Sequence, residues 1–90
     1  MKTVWKYVLS STDWQIIEVP KIHKVLSAQG QYNQVCLWVE VDDSSPKSST
    51  IGVFVVGTGN EVLNQDIKFL DTVQLYDGTL VLHVYTQEGK

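Results

Sequence analysis

The chain has 90 residues, a hydrophobic fraction of 43% and a charged fraction of 19%. These values fit one small globular domain spanning residues 1–90 and exclude a disordered chain. The net charge is −3, and the seven basic residues are all lysines spread along the sequence. Because it offers neither a basic stripe nor an arginine fork for phosphates, we expect no duplex DNA or RNA partner.

A single cysteine, Cys36, bears on the cellular compartment. One cysteine cannot form an internal disulfide, and its place in a strand pattern predicts a small core side chain. No apolar run approaches the roughly 20 residues of a membrane-spanning helix, and residues 1–15 lack the apolar core of a secretion signal. We therefore expect a cytoplasmic protein with no membrane partner.

In chain order, the first third of the sequence predicts extended structure. In Lys2–Leu9, Trp5, Tyr7 and Leu9 alternate with Val4, Lys6 and Val8, as the two faces of a strand do. After a turn, Trp14–Val19 forms a second, short strand. That strand ends at Pro20, which cannot donate to a central ladder. Residues 21–29 are less regular: an extended segment and a helical turn over Lys21–Val25 are both compatible with the pattern.

The two most apolar segments follow a predicted turn at Gly30–Asn33. Val35–Val41 has one apolar face and one mixed face, whereas Ile51–Gly57 is apolar on both faces and is the best candidate for a central strand covered on both sides. Between them, Asp42–Thr50 contains a proline and five Ser or Thr residues, which predicts a solvated loop. The rest of the fold is expected to build on these two strands.

The last third predicts a hairpin. Glu61–Asp66 could be a helical turn or a loop, and Ile67–Tyr76 is a strand. Asp77-Gly78 favours a two-residue type I′ turn, because both residues readily take positive φ. Thr79–Thr86 then forms the last strand, with Gln87–Lys90 as a frayed tail.

Together these segments predict an all-β fold: a small antiparallel β-sandwich or barrel of about seven strands with at most one short helical turn. Turn signals recur every 8 to 12 residues or so, as in such folds. A core this thin would gain from association, so we expect a homo-oligomer.

Catalytic and metal-binding chemistry find little support. The candidate soft or imidazole ligands are Cys36, His23 and His83, and no pair of them has a ligand spacing. His83 lies on a mixed strand face, which favours a partly buried, hydrogen-bonded side chain over a general base, and His23 is expected to be exposed. We predict no metal, no cofactor and no enzymatic activity.

A binding role is better supported by the Gly57-Thr58-Gly59-Asn60 turn and by the aromatic residues. Two glycines at the end of a buried strand allow a close backbone approach to a ligand, or else form a tight structural turn. Three tryptophans exceed what a thin core can bury: either they cap the open ends of the sandwich, or at least one lines a groove or an intersubunit surface. Trp38 is the one we expect to do so, because it shares the mixed face of its strand with Glu40. His83 and Tyr85, on one face of the last strand, complete the predicted ligand-binding set.

Several short motifs occur together in the chain: Met1-Lys2-Thr3-Val4-Trp5-Lys6-Tyr7, Pro20-Lys21, Val25-Leu26-Ser27, Cys36-Leu37-Trp38 with Asp42, Gly57-Thr58-Gly59, Thr72-Val73-Gln74 and Leu80-Val81-Leu82-His83-Val84. In these motifs the chain resembles a family of short phage and prophage proteins described only as a domain of unknown function. The chain departs from the family at Asn60, where members often have His, and near Ile22-His23, where they have Gly-Ala. The resemblance implies a phage setting and no established activity.

Two functions follow as expectations. The first is a non-enzymatic binding module that sequesters a small nucleotide-type signal of a host defence system, with Trp38 stacking on the ligand and Gly57–Asn60 supplying backbone donors. The alternative is a protein-interaction module that inhibits or regulates a host or phage protein through exposed aromatic residues.

Overall fold

The computed structural model describes residues 1–63 and 66–88 and shows an all-β fold. Its seven strands are β1 (Lys2–Val8), β2 (Trp14–Val19), β3 (His23–Gln31), β4 (Gln34–Asp42), β5 (Ser49–Gly57), β6 (Lys68–Leu75) and β7 (Leu80–Glu88). One short 3-10 turn, Tyr76–Gly78, separates the last two strands. The predicted fold class is confirmed. Of residues 21–29, Lys21 and Ile22 form a bend and the rest lie in β3, so the segment is not helical. No helix among the described residues is long and apolar enough to cross a membrane.

The strands form two antiparallel sheets, one of three strands in the order β1-β4-β3 and one of four strands in the order β2-β5-β7-β6. Strands β4 and β5, the two apolar segments, are each paired on both edges. The central position predicted for β5 is therefore confirmed. Its second face, however, does not pack against the other sheet: Gly52, Phe54 and Val56 are half-buried there, and residues 60–63 and Ile67 of the connection to β6 line a groove with Phe54 and Val56.

The core lies between the inner faces of the two sheets. Strand β4 contributes the alternating residues Val35, Leu37, Val39 and Val41, all buried. Strands β5, β6 and β7 supply the facing aliphatic side chains. Cys36 is on the other face of β4, paired with Val8 and Gln29, and is nevertheless buried, with 1% of its surface exposed. The apolar alternation that defined the strands thus also defines which face is inside.

The two sheets approach each other most closely along β3 and β6. A Cβ at Gly30 would lie 2.7 Å from Leu75 Cδ2 and 2.9 Å from the carbonyl oxygen of Gln74, so only glycine fits there. Nearby, Asp71 Oδ2 accepts a hydrogen bond of 3.3 Å from the Ala28 backbone N–H. Each strand has a register shift beside this contact. Such shifts bend a strand, and because β3 is an edge strand its outward backbone groups are free to bond across the seam.

Two turns differ from prediction in length. Strand β3 continues through Gly30, and the turn itself is Tyr32-Asn33, with φ of 53° and 57°, the positive values of a two-residue type I′ turn. At the other hairpin, Asp77 and Gly78 have the predicted positive φ, and the Thr79 N–H donates to the Tyr76 carbonyl at 3.1 Å. Tyr76 also has a positive φ, so the loop has four residues between the paired Leu75 and Leu80 rather than two.

At the end of the sandwich opposite these two turns, His23 of β3 bonds to Glu88 of β7 and so joins the two sheets. The His23 side chain is only 11% exposed, so the expectation of a solvent-exposed histidine was wrong. Its Nε2 lies 2.8 Å from Glu88 Oε1 and its Nδ1 lies 2.8 Å from the Pro20 carbonyl oxygen. The Pro20 carbonyl and an ionised Glu88 carboxylate only accept, so the imidazolium form, in which both ring nitrogens donate, satisfies both contacts at once.

The His23 contact also corrects the predicted tail. Gln87 and Glu88 belong to β7 and pair with β5 rather than fraying. Gln87 and Glu88 are held in place by their pairing with β5 and by the bond between Glu88 and His23. Glu61–Leu63 has no regular secondary structure; Asn64 and Gln65 of that predicted segment, and Gly89 and Lys90 of the tail, lie outside the described residues.

Candidate ligand groove and aromatic face

Four aromatic residues lie in one row across the outer face of the four-stranded sheet. The register pairs Trp14 of β2 with Phe54 of β5, Phe54 with Tyr85 of β7, and Tyr85 with Phe69 of β6. The Trp14 and Phe54 ring centroids are 6.2 Å apart, and Phe69 meets Tyr85 edge to face at 5.7 Å. Trp14 is 53% exposed and Phe69 is 54% exposed. We call this set the aromatic row.

The strands that carry the aromatic row present few charged side chains on this outer face. Among the described strand residues that point outward from this sheet, the charged one is Glu18, on the edge strand β2. The outer face of the three-stranded sheet differs sharply: its outward residues include charged side chains on all three strands, namely Lys2, Lys6, Lys24, Glu40 and Asp42. The outer face of the three-stranded sheet therefore has the composition of an ordinary solvated surface, and the outer face of the four-stranded sheet does not.

A groove of about 700 Å³ begins where Trp14 and Phe54 stand side by side. Trp14, Phe54, Val55 and Val56 line it from the strands and their ends, and Val62 and Leu63 line it from the loop after β5. Polar groups enter from Asp13, Asn60 and Glu61; the full lining is Asp13, Trp14, Phe54, Val55, Val56, Gly57, Asn60, Glu61, Val62, Leu63 and Ile67. The volume lies within the range of small-molecule sites, and aromatic walls with a few polar groups are typical of them.

The predicted Gly57–Asn60 turn forms one wall of this groove. The Asn60 N–H donates to the Gly57 carbonyl at 3.0 Å, and Gly59 has a φ of 92°. A Cβ at Gly57 would lie 3.0 Å from Asn60 Nδ2, so the glycine leaves room for the folded-back asparagine side chain. The Thr58 N–H also has a partner, the Val81 carbonyl at 3.4 Å. The side-chain amide of Asn60, which lines the groove, is therefore the clearest donor that this turn offers to a ligand.

The same turn separates the groove from a second cavity of about 460 Å³ at the end of the two sheets. Asp13, Val55, Gly57 and Asn60 line both spaces. A change in the turn would therefore alter both cavities at once.

His83 stands beside the groove, held by two threonines. Its Nε2 lies 2.7 Å from Thr58 Oγ1, and its Nδ1 lies 3.1 Å from Thr72 Oγ1. A hydroxyl can donate or accept, so either tautomer of the ring is satisfied. The prediction of a partly buried, hydrogen-bonded histidine is confirmed, and His83 neighbours Val56 of the groove through the β5–β7 pairing.

The structure brings most of the predicted binding residues to one sheet. Gly57 and Asn60 line the groove, Thr58 and His83 are bonded beside it, and Tyr85 belongs to the aromatic row. Gly59 lies at the outer tip of the turn, where an added Cβ would meet no atom within 4 Å. Trp38 does not join them: it lies half-buried on the outer face of the three-stranded sheet, paired with Lys6 and Ser27.

The tryptophan at the groove is Trp14, which sequence reasoning did not select. Trp14, Ile16 and Glu18 are every second residue, which places them on one face of a strand. The sequence does not indicate whether other parts of the protein cover that face. The row became visible only through the register of four strands, which a single sequence does not specify. Asp13 and Glu61 were missed for a similar reason, because both lie in irregular segments whose positions depend on the strands around them.

The comparisons with known proteins concern the whole chain. No curated protein and no solved structure matches it. Residues 1–90 match a domain of unknown function, DUF7352. The chain therefore belongs to the DUF7352 family.

Proposed function

We propose that this protein is a non-enzymatic binding module that captures a small ligand with a planar, nucleobase-like group. The observation that carries the proposal is the groove of about 700 Å³ walled by Trp14 and Phe54 beside the Gly57–Asn60 turn. Stacking of a base on an aromatic side chain contributes about 1–3 kcal/mol and does not depend strongly on which base is bound. The half-exposed indole of Trp14 offers such a stacking face.

The polar groups of the groove suit the edge of a base better than a phosphate. Asp13 and Glu61 are acceptors when ionised, and they match exocyclic amino and ring N–H donors. The Asn60 amide can donate and accept. A phosphate placed between the two carboxylates would be repelled, so we propose that the base enters the groove and the charged part of the ligand stays outside, toward the Thr58 and His83 hydroxyl–imidazole pair.

The absence of turnover is part of the proposal. Cys36 is buried in the sheet and His83 is engaged with two hydroxyls, so neither is poised beside the groove as a nucleophile with a base. From the resemblance to short phage proteins we further propose a phage setting, the host cytoplasm as the site of action, and a host defence signal as the ligand.

The test is a capture experiment. The purified protein is mixed with cyclic nucleotides and ADP-ribose-type signals, the mixture is filtered, and the retained protein is heated to release what it holds. A signal that leaves the filtrate and returns chemically unchanged supports the proposal. A signal that returns altered would establish an enzyme instead, and a panel that stays free would refute nucleotide capture.

A protein partner is the second candidate, and one observation favours it. The aromatic row continues beyond the groove to Tyr85 and Phe69, which a small ligand in the groove would leave uncovered. Aromatic anchors of this kind dominate protein interfaces. In a pull-down from host lysate, loss of a captured protein on Phe69→Ala would support this function, and its retention would count against the row as the contact.

A further inference from the structure

We infer that the groove selects guanine among the nucleobases, with the Asp13 carboxylate accepting hydrogen bonds from the N1–H and the 2-amino group of the base. This specificity rests on the proposed function, since it names the base that the same groove takes. Among the described residues that line the groove, the charged ones are Asp13 and Glu61. Two negative side chains and no positive one favour a base edge that is rich in hydrogen-bond donors.

The two carboxylates are available to a ligand. Both side chains are exposed, and within the described residues neither carboxylate has a hydrogen-bond or ion-pair partner. Asp13 is the more firmly placed of the two, because its carbonyl accepts a hydrogen bond of 2.9 Å from the Val55 N–H of β5. Glu61 lies in the irregular loop after β5 and has one more rotatable bond, so ordering its side chain costs more conformational entropy.

Asp13 is also next to the stacking surface. Trp14 follows it in the chain, and both residues line the groove. The Thr12 hydroxyl donates to the Trp14 carbonyl at 3.1 Å, so the backbone is held on both sides of Asp13. Stacking on Trp14 depends little on which base is bound. Hydrogen bonds to the neighbouring carboxylate therefore decide the choice of base.

Guanine is the base whose Watson–Crick edge fits a carboxylate. Its N1–H and 2-amino group are adjacent donors, and they can bind the two carboxylate oxygens side by side, as a guanidinium does. Adenine and cytosine each place a ring-nitrogen lone pair beside their amino group, and uracil has a carbonyl on each side of its N3–H. Each of these edges turns an acceptor toward the second carboxylate oxygen, and such an unmatched contact lowers affinity.

The Asn60 side chain supplies the donor that guanine also needs. The 6-carbonyl oxygen of guanine is an acceptor next to N1–H, and the amide NH2 of Asn60 belongs to the same groove. The sugar is attached at N9, on the far side of the purine from N1. A guanine held at Asp13 by its Watson–Crick edge therefore directs its phosphates away from the two carboxylates, which would repel them.

Equilibrium dialysis of the full chain against the 5′-monophosphates of guanosine, inosine, adenosine and xanthosine tests this specificity. The wild-type protein should bind the guanosine nucleotide at least about tenfold more tightly than the inosine nucleotide, which lacks only the 2-amino group. The adenosine nucleotide should also bind more weakly. In Asp13→Asn the amide has one acceptor, for N1–H, and one donor, which suits the 2-carbonyl of xanthine rather than the 2-amino group of guanine. This variant should therefore prefer the xanthosine nucleotide to the guanosine nucleotide by at least about tenfold.

Asp77→Asn is the matched control. It makes the same chemical change at an exposed turn position that does not line the groove, and asparagine tolerates the positive φ found there. The control should keep the wild-type order of affinities. Circular dichroism confirms that each variant is folded.

Equal wild-type affinities for the guanosine, inosine and adenosine nucleotides would overturn the guanine specificity and leave the proposed function standing, because stacking alone would then explain the binding. A preference for guanine that survives in Asp13→Asn and is lost in Glu61→Gln would overturn the role of Asp13. Capture of an ADP-ribose-type signal without binding of the guanosine nucleotide would overturn the specificity alone. A protein that binds none of these compounds would overturn both the specificity and the proposed function.

Discussion

The bond between His23 and Glu88 makes the stability of the fold depend on pH. Burial alone would lower the pKa of the His23 imidazole, but the hydrogen bonds to Glu88 and to the Pro20 carbonyl, together with the Glu88 charge, outweigh it and raise the pKa above its ordinary value. A group with a raised folded-state pKa stabilises the protein fully below its unfolded pKa of about 6.5, and that contribution is lost as pH rises through the folded-state pKa.

The magnitude follows from the geometry of the pair. A charge-assisted hydrogen bond contributes about 1.5–3 kcal/mol when buried, and a fully exposed ion pair about 0.2–1 kcal/mol. His23 is 11% exposed and Glu88 is 60% exposed, so the value must be discounted toward the exposed limit, to about 1 kcal/mol. In a domain of this size that is roughly 4–8 °C in Tm.

Glu88→Gln tests this reasoning in urea denaturation followed by tryptophan fluorescence. At about pH 5.5 the variant should be less stable than wild type by about 1 kcal/mol, and at about pH 8.5 the difference should nearly vanish. Glu18→Gln removes an equivalent charge from an exposed strand position and should show no such pH dependence. An equal cost of Glu88→Gln at both pH values, or no cost at either, would refute the imidazolium bond between the sheets.

Three further predictions concern packing and exposure. Gly30→Ala should lower the free energy of unfolding by about 1–3 kcal/mol through overpacking against Leu75; Gly52→Ala, whose Cβ would meet its neighbours at 3.5 Å or more, is the control, and equal urea midpoints would contradict the close seam. Cys36 should react with a thiol reagent only after unfolding, because it is 1% exposed; rapid native-state labelling would contradict its burial. Trp14→Phe should remove most of the acrylamide-quenchable fluorescence of the folded protein, because Trp14 is 53% exposed; undiminished quenching would show that another tryptophan is the exposed one.

The sequence predicted the strands well because their residue alternation and their burial have the same physical cause. In β4, every second residue is apolar since one side of the strand faces the core, and that face can be recognised without knowing the partner strands. The Asp77-Gly78 turn was also recognisable, because its positive φ values depend on local chemistry. These features are local, and local features are visible in one sequence.

The binding surface was harder to predict because it depends on strand register. Trp14 and Phe69 are 55 positions apart in the sequence, and nothing in either segment indicates that they share a row. His23 was expected to be exposed for the same reason, since its partner Glu88 lies at the other end of the chain. Trp38 was favoured over Trp14 because Glu40 marked its face as polar, yet long lysine and neighbouring side chains can cover a tryptophan on a charged face.

The most direct test of the account compares Trp14→Ala with Trp38→Ala in the nucleotide capture experiment. The two variants remove the same side chain from opposite outer faces of the molecule, and of the two only Trp14 lines the groove. Wild type and Trp38→Ala should retain a signal from the panel and release it unchanged on heating, and Trp14→Ala should lose at least about tenfold in affinity, as expected when one stacked base is no longer supported. Retention by Trp14→Ala together with loss in Trp38→Ala would place the ligand on the other sheet and contradict the groove as the binding site.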